Sequence, residues 1–269
     1  MPKRDLYFRT AIMNSAGMLG FAPDFHADIP WSSFGAFVTN PLSMRPRKPS
    51  SHPLVLDYPG GFLLHTGLPN PGLPSAVKKY AHKWSDSSLP VIVHVMADRP
   101  EETARMVRSL EGVENVMAAE LGFAPLLTGD IILTSLKLAL GEIPLIVSLP
   151  AEQAVSLGPR LIDAGAAAIS LSAPRGSLTI PKSPPSEAGG RLVSGRLYGP
   201  GNFPRSLETV RQLAEAGVPV IGGGGIYKQE QVEIMQEAGA MAVQLDAVLW
   251  RGDSMMAASS SAPLSEQGN

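Results

Sequence analysis

The sequence holds no cysteine among its 269 residues. That excludes disulfides, thiolate metal sites, iron–sulfur clusters held by this chain, and a cysteine nucleophile or base. Charge is also sparse. Asp, Glu, Lys and Arg make up 17% of the chain and the formal net charge is −2, which excludes a polyanion-binding or disordered composition. Nothing at the N-terminus reads as an export signal, because residues 1–10 are charged and mixed and no apolar run with a small-residue cleavage site follows. The most apolar long stretch, 131–149, is broken by Lys137, Glu142 and Pro144, so it reads as helix, turn and strand rather than a membrane span. A cytoplasmic location is expected, with neither nucleic acid nor membrane as a partner. There is no Gly-x-Ser-x-Gly elbow, no Walker loop and no basic-aromatic stripe. The five histidines, at 26, 52, 65, 82 and 94, lack metal-ligand spacing, and no metal is expected.

What the chain does have is 44% hydrophobic residues, with 27 glycines and 25 prolines. One local pattern recurs three times. Asp163-Ala-Gly165-Ala, Glu215-Ala-Gly217-Val and Glu237-Ala-Gly239-Ala each follow an amphipathic run and precede a short apolar run. Glycine there supplies the left-handed conformation that ends a helix, and the apolar run is a strand buried in a parallel sheet. Working outward predicts strands near 9–13, 35–39, 91–96, 116–121, 145–149, 167–171, 218–222 and 241–245. Helices are predicted at 73–84, 99–110, 130–140, 151–164, 204–216 and 228–238. This is an α/β chain, and its strand number and length favour a single-domain (β/α)8 TIM barrel over an open doubly wound sheet. The barrel is expected over 1–252, with a flexible tail over 253–269. Two long connections, 40–71 and 172–203, are expected to lack regular structure and to lie at the C-terminal mouth as binding loops.

Several segments carry candidate chemistry. Gly222, Gly223, Gly224 and Gly225 follow the seventh strand and open a helix, where backbone N–H groups approach an anion and barrels bind phosphate. Gly195, Arg196 and Gly199 form a second candidate anion loop, in which Arg196 suits a phosphate or carboxylate or is simply solvated. Ser15, Ala16 and Gly17 offer small residues after the first strand. His65, in the run Leu63–Asn70, and His94 and Glu120, late in the third and fourth strands, are candidate acids or bases.

Together these segments resemble the dihydroorotate dehydrogenase family of FMN-containing barrels, class 1-like, over roughly 7–252. Asn14-Ser15-Ala16-Gly17 is similar to the family's segment along the flavin, and His65-Thr66-Gly67-Leu68-Pro69-Asn70 to its substrate loop. Gly195, Gly199, Gly222–Gly225 and Gln244 match its FMN-phosphate end. The resemblance implies FMN as cofactor and oxidation of dihydroorotate, or a related cyclic carboxylated substrate, by hydride transfer in pyrimidine biosynthesis. It also implies a homodimer or an electron-transfer partner.

The chain departs from that family at defined places. Where the family has its Cys or Ser base, this chain reads Glu120-Leu-Gly-Phe-Ala-Pro125. Asn40 and Ser148 stand where the family has lysines near the flavin, and Asp246-Ala247 replaces Gly-Thr after the eighth strand. The expected substitutes are Glu120 as catalytic base and Arg196 as the catalytic positive charge. Asp246 would repel a phosphate if it pointed inward, or would cap the next segment if it pointed outward. Two other functions stay open: a phosphate-binding isomerase or lyase barrel without redox chemistry, and a non-catalytic binding subunit.

Overall fold

Short apolar runs between helix-ending glycines form strands covered on both faces, and a computed structural model shows their arrangement. It describes residues 5–52, 54–125, 127–181 and 190–250. Eight strands are parallel: β1 (Ile12–Asn14), β2 (Phe37–Val38), β5 (Val91–Met96), β6 (Val116–Gly122), β7 (Leu145–Leu149), β8 (Ala168–Leu171), β11 (Val220–Gly223) and β12 (Ala242–Leu245). Their order is β1-β12-β11-β8-β7-β6-β5-β2, and a parallel bridge from Met13 to Ala36 joins the two ends. Asn14 reinforces that short seam: its side chain accepts from Val38 N–H at 3.0 Å and donates to Val38 O at 2.6 Å. The result is the expected TIM barrel. Gly165, Gly217 and Gly239 end their helices with φ of 118°, 71° and 104°, the left-handed turn on which the sequence argument rests.

Helices α1 (Leu73–Ser85), α2 (Pro100–Arg108), α3 (Gly129–Ala139), α4 (Ala151–Ala164), α5 (Phe203–Glu215) and α6 (Gln229–Glu237) surround the strands. All six lie where the spacing predicts them. No helix among the described residues is long and apolar enough to cross a membrane. The main core fills the space between helices and barrel. A second apolar layer lies inside the barrel, where Met13, Ile92, Ala118, Ile146, Ala168 and Ala242 are all fully buried.

The two long connections differ from expectation. They hold β3 (Val55–Tyr58), β4 (Gly61–Leu64), β9 (Arg175–Pro181) and β10 (Gly190–Tyr198), an antiparallel sheet of order β3-β4-β10-β9. Their density of Pro and Gly suggests loops, yet Pro59-Gly60 makes a turn and strands pair on either side of it. Pairing of β4 with β10 ties the loop after β2 to the loop after β8. Phe62, Leu64 and Tyr198 share one face of this sheet. That face packs with Met18, Ala173 and Ala247, which follow β1, β8 and β12, so the sheet lies over the barrel mouth. The expected end of the barrel at 252 and the tail at 253–269 lie outside the described residues.

Candidate active site

Side chains two residues apart on a strand share a face. Two steps toward the mouth from Ile92, Ala118, Ala168 and Ala242, the inward positions become His94, Glu120, Ser170 and Gln244. An apolar layer is thus topped by a polar one, with Glu120 at its centre. Glu120 Oε2 lies 2.6 Å from His94 Nδ1. Glu120 Oε1 accepts from Ser170 Oγ at 2.6 Å and from Gln244 Nε2 at 2.8 Å. Both members of the His–Glu pair are buried, at 3% and 1% exposure.

Burial alone would raise the Glu120 acid. The hydrogen bond and charge of His94, with the bonds from Ser170 and Gln244, outweigh burial and hold it below its ordinary value. Glu120 is therefore a carboxylate near neutral pH. A carboxylate only accepts, so His94 Nδ1 carries the proton between them. The Nε2 edge turns to Gly122, where an added Cβ would fall 2.3 Å away, and it has no hydrogen-bond partner among the described residues. Gly122 is two residues nearer the mouth than Glu120, so Nε2 lies on the mouth side of the pair. Ser148, opposite Gly122 and Ser170 in register, is half-buried beside this layer.

Above it, Arg196 on β10 and Arg175 on β9 are direct cross-strand neighbours. They lie on the sheet face that carries Leu64 and Tyr198 toward the mouth. Arg175 is exposed, yet partial desolvation and the charge of Arg196 lower its pKa, and neither arginine has a carboxylate partner among the described residues. Directly opposed like charges are unfavourable. Tyr198, buried beneath them, is pushed up to about 12 mainly by burial and stays a phenol.

At the ends of β11 and β12, Gly224 and Gly225 take φ of 101° and 74°. The Asp246 side chain is buried and does both things that the sequence left open: its carboxylate caps the 3-10 turn Ala247–Trp250, accepting from Ala247 N–H at 2.6 Å, and also reaches the glycine turn, accepting from Gly225 N–H at 3.4 Å. Burial raises its pKa to about 6 against the pull of these amides.

The other residues singled out in the sequence separate into groups. Ser15, Ala16 and Gly17 line the turn after β1, half-buried. Asn40 is tied to Gly20, its Oδ1 accepting the Gly20 N–H at 3.0 Å. Gly222 faces outward against Met235 and Val210, while Gly223 lies inside beside Gln244. Gly195 lets β10 close on β4, and Gly199 lets the chain close on Gly60. His65 Nδ1 lies 2.8 Å from Ser194 O, which joins β4 to β10. Gly67 and Leu68 take positive φ, 74° and 54°, and Leu68 N–H donates to Thr66 Oγ1 at 3.1 Å. Asn70 anchors this segment, its Nδ2 donating to Leu68 O at 3.0 Å while its Oδ1 accepts from Gly72 N–H at 2.9 Å. Sequence reasoning missed Arg175, because its relation to Arg196 depends on reading the hairpin. His94 was one of several isolated histidines until register placed it opposite Glu120.

A family model for dihydroorotate dehydrogenase matches residues 4–123. The catalytic subunit of dihydroorotate dehydrogenase B (NAD(+)) from Pelobacter propionicus is 29% identical over 255 residues, covering 89% of this chain and 84% of that protein. The corresponding subunit from Geobacter sulfurreducens is 30% identical over 254 residues, covering 88% and 82%. The chain belongs to the dihydroorotate dehydrogenase family. Its fold agrees with the ligand-free type DHODH of Eimeria tenella at a TM-score of 0.71, with 14% identity and coverage of 91% and 81%. What this dihydroorotate dehydrogenase family chain places at its mouth is a buried His–Glu pair, an opposed pair of arginines, and a carboxylate on the glycine turn.

Proposed function

We propose that this barrel binds a small carboxylated ring compound and transfers a proton at a carbon beside a carbonyl, with His94 Nε2 as the base. The observation that carries this reading is the 2.6 Å contact of His94 Nδ1 with the buried Glu120 carboxylate. Glu120 fixes the imidazole tautomer and orientation and stabilises the imidazolium once Nε2 takes a proton. It is a positioning residue, since three donors already hold it. Arg175 and Arg196 supply the positive charge for the substrate carboxylate.

FMN is the cofactor implied by the family resemblance, and the residues present do not fit it. Asn40 and Ser148 give the flavin ring no cation, and the amides of Gly225 and Ala247 already hold the Asp246 carboxylate. A second reading is FMN-dependent oxidation of dihydroorotate, with electrons passed to a partner subunit in the cytoplasm. Two observations favour it: the glycine turn at 223–225 persists, and the relatives are named catalytic subunits of an NAD(+) enzyme.

The test follows the C5 protons of L-dihydroorotate by NMR in D2O, with a visible spectrum of the same sample. The proton-transfer reading expects a colourless protein that exchanges C5–H, slowed about a hundredfold or more by His94→Asn. Arg196→Gln should raise the concentration of dihydroorotate needed. A yellow protein bleached by dihydroorotate would support the second reading. A colourless protein without exchange would leave the binding-subunit alternative.

A further inference from the structure

We propose that Asp246 is this chain's own occupant of the anion cradle at the ends of β11 and β12, and that its carboxylate closes the cradle to phosphate.

The cradle is assembled from backbone. Gly223 and Gln244 are partners in register, so Gly225 and Asp246, each two residues further on, emerge side by side at the mouth. Two successive glycines of positive φ, 101° and 74°, turn the chain at the mouth so that the Gly225 N–H faces the Asp246 carboxylate. The start of α5 abuts this turn: a Cβ on Gly225 would lie 2.6 Å from Phe203 N and 2.9 Å from Gly199 O, and one on Gly224 would lie 2.7 Å from Ser206 Oγ. Only glycine permits this approach.

The occupant is equally defined. Asp246 is 3% exposed. Both of its oxygens face amides: Oδ1 accepts from Ala247 N–H at 2.6 Å and Oδ2 from Gly225 N–H at 3.4 Å. No Lys, Arg or His forms an ion pair with it among the described residues. Buried charges are normally paired with opposite charge. The Asp246 carboxylate is held by backbone amides alone, and burial outweighs them. A phosphate approaching the same turn would have to displace it and accept its repulsion. With an acid near 6, Asp246 is charged at pH 8.

The experiment compares the full chain with Asp246→Asn and Asp246→Gly at pH 8, using FMN followed by fluorescence quenching and inorganic phosphate followed by thermal shift. The wild type is expected to bind neither, whereas the variants bind FMN at least roughly a hundredfold more tightly, because a charge repulsion has been removed. Phosphate should raise the melting temperature of Asp246→Gly and leave that of the wild type unchanged. Two variants guard against one failing to fold. The proposal is overturned if the wild type binds FMN or phosphate as well as the variants do, or if no variant gains binding. Neither result bears on His94, whose role is read from proton exchange.

Discussion

His94 Nδ1 lies 2.6 Å from Glu120 Oε2, and both side chains are withdrawn from solvent at the centre of the barrel. A buried pair of this kind is held by mutual satisfaction, and removing one member strands the other. Glu120→Ala should therefore cost about 3–5 kcal/mol, and Glu120→Gln, which keeps an acceptor, roughly 1–3 kcal/mol. The double variant Glu120→Gln/His94→Asn should lose less than the sum of the two single losses, because the partners share one interaction. Urea unfolding of the four proteins measures this, and strict additivity would mean that the contact couples nothing.

Gly122 controls where the imidazole can lie. A Cβ there would fall 2.3 Å from His94 Nε2. Gly122→Ala should push the ring away from the mouth and abolish proton exchange, while Glu120 keeps its bonds from Ser170 and Gln244. Overpacking of this size costs about 1–3 kcal/mol, which a barrel of this length tolerates. Exchange at the wild-type rate in a folded Gly122→Ala protein would remove His94 Nε2 from the mechanism.

The barrel was legible in the sequence because helix-ending glycines and short buried strands are local signals. Gly165, Gly217 and Gly239 announce their corners without knowledge of the rest of the fold. The small sheet was not legible, since β4 and β10 pair across more than a hundred residues and Pro59-Gly60 reads as loop on its own. The candidate site divides along the same line. Glu120 is marked in the sequence by its place late in the fourth strand, but its partners come from β5, β8 and β12, and only register brings them together. Asp246 leaves a cap and a place at the glycine turn both open, and that one carboxylate serves both depends on Gly225, which lies on a different strand end.

Asp246 makes stability depend on pH in a direction opposite to that of most carboxylates. An aspartate titrates near its ordinary 3.8 in the unfolded chain, and burial pushes Asp246 up to about 6 in the barrel. The folded state therefore holds the proton more tightly than the unfolded one. Its favourable effect is complete below the unfolded value, falls as pH rises through the window from about 4 to 6, and is gone above it. The difference corresponds to on the order of 3 kcal/mol. Glu120, held below its ordinary value, acts the other way: it stabilises above about 4.5 and loses that effect as pH falls below it. The two effects separate by substitution, since Asp246→Asn removes only the first. Between pH 4.5 and 7 the wild type should lose stability relative to Asp246→Asn, and the gap should be level above pH 7. Urea unfolding of both proteins at pH 4.5, 5.5, 6.5 and 7.5 gives the comparison. Parallel profiles would mean that the carboxylate reaches solvent and is not buried against the glycine turn.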